Sequence, residues 1–471
     1  LVESEDKLST FSGNEYSRLI KTLLDTNYPV YSPKAFVHTF GCQGNLADSE
    51  RMKGMLSEIG YEFTDDVNEA NLILFNTCSV REHAEDRVFG NVGNLKKLKA
   101  EKPDLIIVLC GCMMQQKHVA EKIKKSYPYV DIVFGTYHMQ RLPEFIYKVL
   151  ATRERVFEIT DNPEAEIVEG LPVYRDISYK GWLPIMYGCN NFCSYCVVPL
   201  VRGRERSRDP EDVINEAKEL IKSGAKDITL LGQNVNSYGK NSPFNMDFPE
   251  LLRRINALEG EFIIRFMTSH PKDCTPELLK VMAESEKVAK HLHLPFQSGS
   301  NRILKAMNRK YTREHYLELT TLARELMPEL AITSDVIVGF PGEQYEDFTQ
   351  TLDLVERVKF SSLFTFIYSK RKGTAAEKLP DPVSREEKGR WFNELLKVQE
   401  RISAEIRQSM VGKTYKVLAE NKTKDLDGCI TGRTEGNMNI DFLGDESLIG
   451  NFVKVKVNKV ENLNIKGEMI P

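Results

Sequence analysis

The sequence contains no long apolar run. None of its hydrophobic stretches approaches the roughly 18 consecutive apolar residues that a membrane-spanning helix requires, and the longest, such as LIIVLC at 105–110, have the length of a strand. It also has no excess of charge of one sign, since the formal net charge is −4 in 471 residues. That balance excludes a general electrostatic attraction to nucleic acid or to anionic membranes. The first residues, LVESEDKLSTFSG, are too polar for a signal peptide. We therefore expect a cytoplasmic protein with no membrane partner. A monomer is also expected.

The N-terminal part of the chain alternates between apolar runs and charged stretches with helical spacing. The runs are AFVHTF (35–40), NLILFN (71–76), LIIVLC (105–110) and VDIVFG (130–135). Strands joined by connections of this length predict an open parallel sheet covered by helices, here over residues 34–151. Residues 1–33 are polar without a strong period and are interpreted as an N-terminal extension. Residues 152–174, rich in Glu, Pro and Asp, are interpreted as a linker.

A second alternating series occupies residues 175–406 and begins at LPIMYGC. It contains six strand–helix units, two fewer than the eight of a closed barrel, and this count predicts a partial (β/α)6 barrel. Residues 407–471 alternate with period two between Gly, Asn and Asp turns, which predicts a small all-β barrel of the oligonucleotide-binding sort. The predicted fold class is therefore α/β, with three domains.

Cysteine is present in nine copies, several of them in tight clusters, which favours metal ligation in a reducing cytosol over disulfides. YGCNNFCSYCVV places Cys189, Cys193 and Cys196 in one loop after a strand, with no fourth Cys or His nearby. A structural zinc site uses four ligands, whereas a four-iron cluster held by three cysteines keeps one iron open for a small molecule. The sequence therefore indicates an iron–sulfur cluster. The alternative is a zinc loop completed from elsewhere in the chain.

A second set of cysteines follows three different strands. Cys42 comes after AFVHTFG, Cys78 after LILFNT and Cys112 after LIIVLCG. Because the carboxyl ends of neighbouring parallel strands face one crevice, these thiols are expected to converge there. Cys110 competes for the third position, and we prefer Cys112 because Gly111 lets the chain turn towards the crevice. The alternative is that these cysteines are small buried apolar residues.

CxxxCxxC after the first strand of an α/β barrel resembles the radical S-adenosylmethionine (SAM) enzymes. The second cysteine set and the terminal β-barrel, which resembles a TRAM domain, narrow this resemblance to the radical SAM methylthiotransferases from about residue 34 onwards. The motifs similar to the tRNA-modifying MiaB branch are TFGCQGNLADSE (39–50), NTCSVREHAEDRVFG (76–90), GCMMQ (111–115), HLPFQSGS (293–300) and GRTEGN (432–437). Gly44, Gln344 and Leu200–Val201 depart from the usual residues of that branch without removing a cysteine.

The resemblance implies two [4Fe-4S] clusters, one on Cys189, Cys193 and Cys196 and an auxiliary one on the second cysteine set. SAM would serve as radical source and as methyl donor, and the auxiliary cluster would supply sulfur. The implied reaction adds a methylthio group to carbon 2 of an isopentenyladenosine next to the tRNA anticodon. The implied partners are the anticodon stem-loop of that tRNA, an electron donor such as a flavodoxin or ferredoxin, and a cluster-repair or sulfur-supply protein.

Weaker signals mark further residues, for each of which a packing, capping or solvated role is the alternative. Those expected to bind SAM are Tyr195, Arg202, Gln233, Gln297, Ser298 and Asp335. Arg371, Arg433 and Phe442 are candidates for tRNA contacts, with Arg433 on phosphate and Phe442 stacking on a base. Two other functions stay open: methylthiolation of a ribosomal-protein aspartate, and a non-catalytic RNA-binding protein with structural metal sites.

Overall fold

The computed structural model describes residues 13–28, 31–79, 82–160, 167–240, 242–424 and 426–470. The chain forms two units. The first comprises the described residues of Leu1–Asp176 together with Tyr187–Asn190 and Val197–Arg206, and the second comprises those of Ile177–Met186, Asn191–Cys196 and Ser207–Pro471. Within the described ranges, no helix is both long and apolar enough to cross a membrane.

The first unit contains a six-stranded parallel sheet in the order β2-β1-β3-β4-β5-β6. Its strands are β1 (Lys34–Thr39), β2 (Glu62–Phe63), β3 (Leu72–Thr77), β4 (Ile106–Gly111), β5 (Ile132–Phe134) and β6 (Val156–Glu158). Its helices are α1 (Gly13–Asn27), α2 (Gln43–Glu58), α3 (Glu82–Glu101), α4 (Lys117–Ser126) and α5 (Leu142–Thr152).

Both faces of this sheet are buried, as the apolar runs of the sequence predict. Every residue of β3 and β4 is buried. Leu72 and Leu74 of β3 pack with α1, α2 and α5 on one face, whereas Ile73 and Phe75 pack with α3 and α4 on the other. The sheet is thus central, and its loops at the carboxyl ends of the strands are left to carry functional residues.

Two predictions at the edges of this unit need correction. The stretch 1–33 was expected to have no strong period, but Tyr16, Ile20 and Leu24 of α1 recur every four residues and are buried in the core. The predicted linker at 152–174 contains β6, which pairs with β5. Residues 1–12, 29–30 and 161–166, which belong to the same two predicted segments, lie outside the described residues. The domain boundaries themselves stay predictions.

The second unit contains six parallel strands in two three-stranded sheets, with the orders β11-β10-β7 and β12-β13-β14. Residues 177–406 contain the strands β7 (Lys180–Pro184), β8 (Met186–Tyr187), β9 (Arg206–Ser207), β10 (Asp227–Leu231), β11 (Ile263–Phe266), β12 (His291–His293), β13 (Ala331–Val338) and β14 (Ser362–Ile367). The helices of this range are α6 (Val198–Val201), α7 (Pro210–Lys222), α8 (Phe248–Asn256), α9 (Pro276–Glu284), α10 (Asn301–Ala306), α11 (Arg313–Leu326), α12 (Tyr345–Val358) and α13 (Arg385–Gln408). Six parallel strands with intervening helices confirm the predicted partial barrel.

Capping residues explain where the helices of this barrel begin. The side chain of Asp209 accepts a hydrogen bond at the start of α7, Asp247 does so at α8, and Thr275 does so at α9. A proline occupies the first turn of all three helices, where its missing N–H costs nothing. The short sequences DP, DFP and TP therefore mark where these three helices begin.

The last strands form the closed barrel that period-two alternation predicted. They are β15 (Thr414–Lys422), β16 (Cys429–Thr434), β17 (Asn439–Leu443), β18 (Phe452–Glu461) and β19 (Asn464–Ile470), in the order β15-β16-β17-β19-β18. Arg265 of β11 fixes this barrel to the partial barrel, because its guanidinium donates to the carbonyls of Thr434 and Glu435, both at 2.9 Å. These two acceptors lie in the GRTEGN motif.

Short 3₁₀ helices lie at Met139–Arg141, Val235–Ser237, Pro271–Asp273, Ala375–Lys378 and Glu446–Leu448.

Candidate metal centres

The second cysteine set lies at the carboxyl ends of three adjacent strands. Cys42 precedes α2 and follows β1, Cys78 follows β3, and Cys112 follows β4. β1, β3 and β4 are neighbours in the sheet. The pKa of the Cys112 thiol is raised to about 12, mainly by burial; the guanidinium of Arg202 lowers it, and the nearby Cys78 and Cys42 raise it. The structure therefore brings these three thiols together, and their role as cluster ligands stays a prediction.

Cys110 occupies a different environment. Its Sγ is 3.6 Å from Sδ of Met52 and belongs to the apolar core on one face of the sheet. Gly111, at φ +94°, then turns the chain before Cys112. A Cβ at Gly111 would lie 2.4 Å from Oδ1 of Asn76, so only glycine fits this turn. The geometry supports the preference for Cys112.

A buried amide pair fixes the loops around these cysteines. Nδ2 of Asn45 donates to Oδ1 of Asn76 at 2.9 Å and to the carbonyl of Thr77 at 3.1 Å. Nδ2 of Asn76 donates in return to the carbonyl of Asn45 at 2.8 Å and to Oγ of Ser49 at 3.0 Å. Cys42 completes the arrangement by donating to Oδ1 of Asn45 at 3.3 Å. These supporting residues lie inside the motifs TFGCQGNLADSE and NTCSVRE, but the sequence alone assigned them no role.

Arg202 is directed towards the second cysteine set. Its Nε donates to Sγ of Cys112 at 3.1 Å, and its Nη2 donates to Oδ2 of Asp48 at 2.7 Å. Only 8% of the residue is exposed. We expected a SAM contact or a solvated basic face here, and the structure instead buries the guanidinium between a cysteine and a carboxylate of its own unit.

The loop with Cys189, Cys193 and Cys196 lies between β8 and α6. Gly188 has φ +73°, and a Cβ there would lie 2.0 Å from the carbonyl oxygen of Arg204, so this turn also requires glycine. The backbone N–H of Cys189 donates to the carbonyl of Gly203 at 3.1 Å. The N–H of Cys196 donates to the carbonyl of Cys193 at 3.0 Å, which makes the end of the loop a tight turn.

A buried arginine also contacts this cysteine set. Nη1 of Arg309 donates to Sγ of Cys193 at 3.5 Å, and its Nη2 donates to the carbonyl of Pro295 at 2.5 Å. Tyr195 is close to the same guanidinium; burial raises its pKa, and Cys193 raises it further. The ring of Tyr195 packs beside Ile303, Met307, Phe340, Tyr368 and Ala376. This packing holds the loop against α10, and contact of Tyr195 with the adenine of SAM stays a prediction.

The other expected SAM residues lie at strand ends of the partial barrel. Oε1 of Gln233, just after β10, is buried and makes no hydrogen bond within the described residues. The same holds for Oγ of Ser269 and Nε2 of His270 after β11. Buried polar atoms without partners are costly, so these groups fit a polar ligand such as SAM.

Two further expected SAM residues lie after β12. Gln297 has φ +65°, a strained conformation for a residue other than glycine, and its N–H donates to the carbonyl of Asp335 at 2.9 Å. Ser298 is buried, and its Oγ accepts a hydrogen bond from the N–H of Ser300 at 3.3 Å. This bond is local to the loop before α10, and a contact of Ser298 with SAM stays a prediction.

Asp335 belongs to a group of side chains shared by β12, β13 and β14. Its Oδ1 lies 3.6 Å from Nε2 of His293, and the ring of His293 lies 5.8 Å from that of Phe364. Phe364 and Phe366 are two residues apart on β14 and are 48% and 47% exposed. Two exposed aromatic rings beside a histidine and a carboxylate form a surface on which a planar base can stack.

One expected tRNA contact is wrong. Phe442 is 2% exposed and lies in the core of the closed barrel with Ile440 and Val455, so its ring cannot stack on a base. Arg433 donates through Nε to Oε1 of Glu420 at 2.8 Å, and the same carboxylate pairs with Lys180 at 3.1 Å, so contact of Arg433 with phosphate stays a prediction. Arg371 lies half-buried in the loop after β14, where its carbonyl accepts from the N–H of Thr374 at 3.2 Å.

Among the described residues, no three His, Cys, Asp or Glu side chains form a group that could hold a single metal ion. A cluster of four irons and four sulfides is larger than one ion, and its ligands stand correspondingly further apart. Three thiols on one short loop, and three on adjacent strand ends, fit cluster ligation by the chemistry of their donors.

Three family models match the chain, each in a different part of it. They are the radical SAM superfamily at residues 183–355, the uncharacterized protein family UPF0004 at 34–135, and the TRAM domain at 408–470. The radical SAM methyltransferase TsrM of Kitasatospora setae has a similar fold, with a TM-score of 0.53 and 15% identity over 74% of this chain and 75% of that one. Fold and family models together define a radical SAM enzyme with a TRAM domain. This class implies SAM and a [4Fe-4S] cluster as cofactors.

The relatives make the assignment more specific. The tRNA-2-methylthio-N(6)-dimethylallyladenosine synthase of Acetivibrio thermocellus is 50% identical over 434 residues, which are 92% of this chain and 90% of the relative. The synthase of the same name from Clostridium novyi is 49% identical over 449 residues, which are 95% of this chain and 99% of the relative. The chain belongs to the family of the tRNA-2-methylthio-N(6)-dimethylallyladenosine synthases.

Proposed function

We propose that this chain adds a methylthio group to carbon 2 of an isopentenyladenosine next to the anticodon of tRNA. The observation that carries the proposal is the presence, in one chain, of three thiols at adjacent strand ends and a CxxxCxxC loop in a partial barrel. When bound, a [4Fe-4S] cluster with SAM would supply a deoxyadenosyl radical, and a second cluster would supply sulfur.

In this proposal the two cysteine sets hold different clusters. The cluster that binds SAM is held by Cys189, Cys193 and Cys196. At the other site, the buried amide pair of Asn45 and Asn76 keeps the loops of Cys42 and Cys78 in place. Cys112 supplies the third thiol of that second site. Cys78 and Cys112 are buried, whereas Cys42 is exposed, so water is excluded from two of the three thiols.

The target adenine must leave its stack in the anticodon loop to reach the enzyme. We propose that Phe364 and Phe366, with Asp335 and His293 beside them, receive this flipped base on β14. Their exposure of 48% and 47% and their position two residues apart on one strand support this assignment, since adjacent exposed rings offer a stacking surface to a base. Phe442, which we had expected to stack on a base, is buried and has no part in this step.

The closed C-terminal barrel provides the surface for the rest of the tRNA. Lys454 and Lys456 lie two residues apart on β18, are exposed, and have no ion pair with any residue that the structure describes. Other lysines of the barrel lie beside carboxylates: Lys422 pairs with Glu446 at 2.5 Å, and Lys459 and Lys466 share Glu461 at 2.7 and 2.8 Å. We propose that Lys454 and Lys456 contact phosphates of the anticodon stem, with Arg371 near the loop. An electron donor such as a flavodoxin or ferredoxin, and a sulfur-supply protein, would complete the cycle in the cytoplasm.

The proposal is tested with the full chain reconstituted anaerobically with iron and sulfide. We expect about eight irons per chain, consistent with two four-iron clusters. Incubation with isopentenylated tRNA, SAM and a reductant should release deoxyadenosine, which carries away the hydrogen of carbon 2. The mass of the nucleoside should increase by one methylthio group less that hydrogen.

The matched control replaces Cys189, Cys193 and Cys196 by alanine, which should leave about four irons and abolish deoxyadenosine release. Modification of a ribosomal-protein aspartate in place of tRNA would contradict the substrate. Two zincs and no iron, without deoxyadenosine, would indicate a non-catalytic RNA-binding protein.

A further inference from the structure

A buried ion pair is built onto one thiol of the second cysteine set. Arg202 donates through Nε to Sγ of Cys112 at 3.1 Å and through Nη2 to Oδ2 of Asp48 at 2.7 Å. The side chains of Arg202 and Asp48 are only 9% and 13% exposed. The guanidinium therefore has one N–H fixed on sulfur and another fixed on a carboxylate.

The two partners of Cys112 come from distant parts of the sequence. Asp48 lies in α2, six residues after Cys42, and Arg202 follows α6, six residues after Cys196. A buried arginine beside a thiol needs a compensating charge, because an unpaired cation in such surroundings is strongly unfavourable. Asp48 supplies that charge by accepting from Nη2 of Arg202. Nε of the same guanidinium still donates to the sulfur of Cys112.

We infer that Arg202 and Asp48 are positioning residues that set the reduction potential of the auxiliary cluster; this inference rests on the proposed function, which places a cluster on Cys42, Cys78 and Cys112. Hydrogen bonds to ligating sulfurs, nearby charge and solvent exposure determine the potential of an iron–sulfur cluster. A cluster that accepts one electron becomes more negative by one charge. An N–H donor and a positive charge at Cys112 stabilise that reduced form, whereas the carboxylate of Asp48 opposes it.

The two residues are therefore expected to act with opposite signs. Arg202→Gln removes the cation and the donor while leaving Asp48 charged, so the potential should become more negative. Asp48→Asn removes the anion and leaves the Nε donor in place, so the potential should become more positive. Arg202→Lys keeps the charge but not the planar donor, and its shift should have the sign of Arg202→Gln and a smaller size.

The experiment uses the full chain in which Cys189, Cys193 and Cys196 are alanine, so that the auxiliary cluster is the one cluster expected. After reconstitution with iron and sulfide, the midpoint potential is measured by a mediated redox titration followed by electron paramagnetic resonance. Arg204→Gln is the matched control, because it makes the same change of charge at an exposed side chain two residues away. It should leave the potential close to that of the parent.

The outcomes separate this inference from the proposed function. If the parent binds no iron, the proposed auxiliary cluster is wrong. If the parent binds about four irons but Arg202→Gln and Asp48→Asn shift the potential in the same direction, or no more than Arg204→Gln, the inference is overturned and the proposed function stands. Should Arg202→Gln fail to bind iron, the opposite-sign shifts of Arg202→Lys and Asp48→Asn decide the question.

Discussion

The sulfur atoms of Cys110 and Cys112 lie in different surroundings although only Gly111 separates the two residues. Sγ of Cys110 contacts Sδ of Met52 in the apolar core, and Sγ of Cys112 accepts a hydrogen bond from Nε of Arg202. The positive φ of Gly111 produces this change of direction. One cysteine is thus a packing residue, while the other lies among groups that suit a metal ligand.

Cys112→Ala and Cys110→Ala are therefore expected to have different effects. In the chain without Cys189, Cys193 and Cys196, Cys112→Ala should abolish iron binding, because only two thiols of the set would be left. Cys110→Ala should keep about four irons and lower the free energy of unfolding by about 1 kcal/mol through the lost packing. Iron and sulfide assays and thermal unfolding measure both effects. Loss of iron in Cys110→Ala alone would reverse the assignment of the third ligand.

The buried ring of Phe442 predicts a stability effect confined to the closed barrel. Phe442→Ala should destabilise that barrel by about 3–5 kcal/mol, the usual cost of removing a buried aromatic side chain. The neighbouring Leu443 is 73% exposed and provides the control, since Leu443→Ala should change stability by less than about 0.5 kcal/mol. Amide hydrogen exchange over residues 414–470 of the full chain reports both changes. Equal protection in the two variants would contradict the core position of Phe442.

Lys454 and Lys456 of β18, which form no ion pair among the described residues, predict a salt-dependent contribution to tRNA binding. Lys454→Ala and Lys456→Ala should each weaken binding and reduce the slope of log affinity against log salt concentration by roughly 1. Lys459→Ala should have less effect, because Lys459 already pairs with Glu461 at 2.7 Å. Titrations with isopentenylated tRNA at several salt concentrations measure the slopes. An equal loss of slope in all three variants would argue against a specific role for Lys454 and Lys456.

Glu343 predicts a pH dependence of stability. The residue is 1% exposed, its Oε2 accepts from the N–H of Phe340 at 3.1 Å, and burial raises the pKa of its carboxyl from 4.5 to about 7. Because the folded state holds the proton more tightly, this group stabilises the fold fully below the unfolded pKa. That stabilisation, up to roughly 3 kcal/mol, is lost as pH rises through the folded pKa.

Glu343→Gln provides the measurement. The variant keeps an acceptor for the backbone N–H groups but cannot ionise, so its stability should fall less than that of the wild type between about pH 5 and about pH 8. Denaturant unfolding of both proteins at the two pH values gives the difference. Parallel pH profiles would show that Glu343 does not bind a proton more tightly in the folded state.

Local patterns in the sequence predict most of the fold. β3 and β4 are continuous apolar runs because the sheet buries both of their faces. The Phe442 error came from a pattern that was present: Ile440 and Phe442 are two residues apart on β17, and both point into the barrel core. Likewise Tyr16, Ile20 and Leu24 carry the helical period of α1, which a polar composition concealed.

The contacts around the metal centres could not be predicted in the same way. Arg202 and Asp48 are 154 residues apart, and no spacing rule relates an arginine after one cysteine loop to a thiol at the end of β4. The cysteines themselves were predictable because each follows a recognisable strand. The residues that contact these cysteines are brought to them by tertiary packing. No periodic pattern in a single sequence predicts such contacts.

Closure of the C-terminal barrel also limits how this part of the chain can hold a polymer. Each of its five strands has two hydrogen-bonded neighbours, so the described barrel offers no free backbone edge along which a guest segment could line up. Aggregation by strand addition is discouraged at the same place. The barrel must therefore recognise tRNA through its side chains and turns. These residues can be substituted one at a time while the backbone hydrogen bonds between the strands are kept.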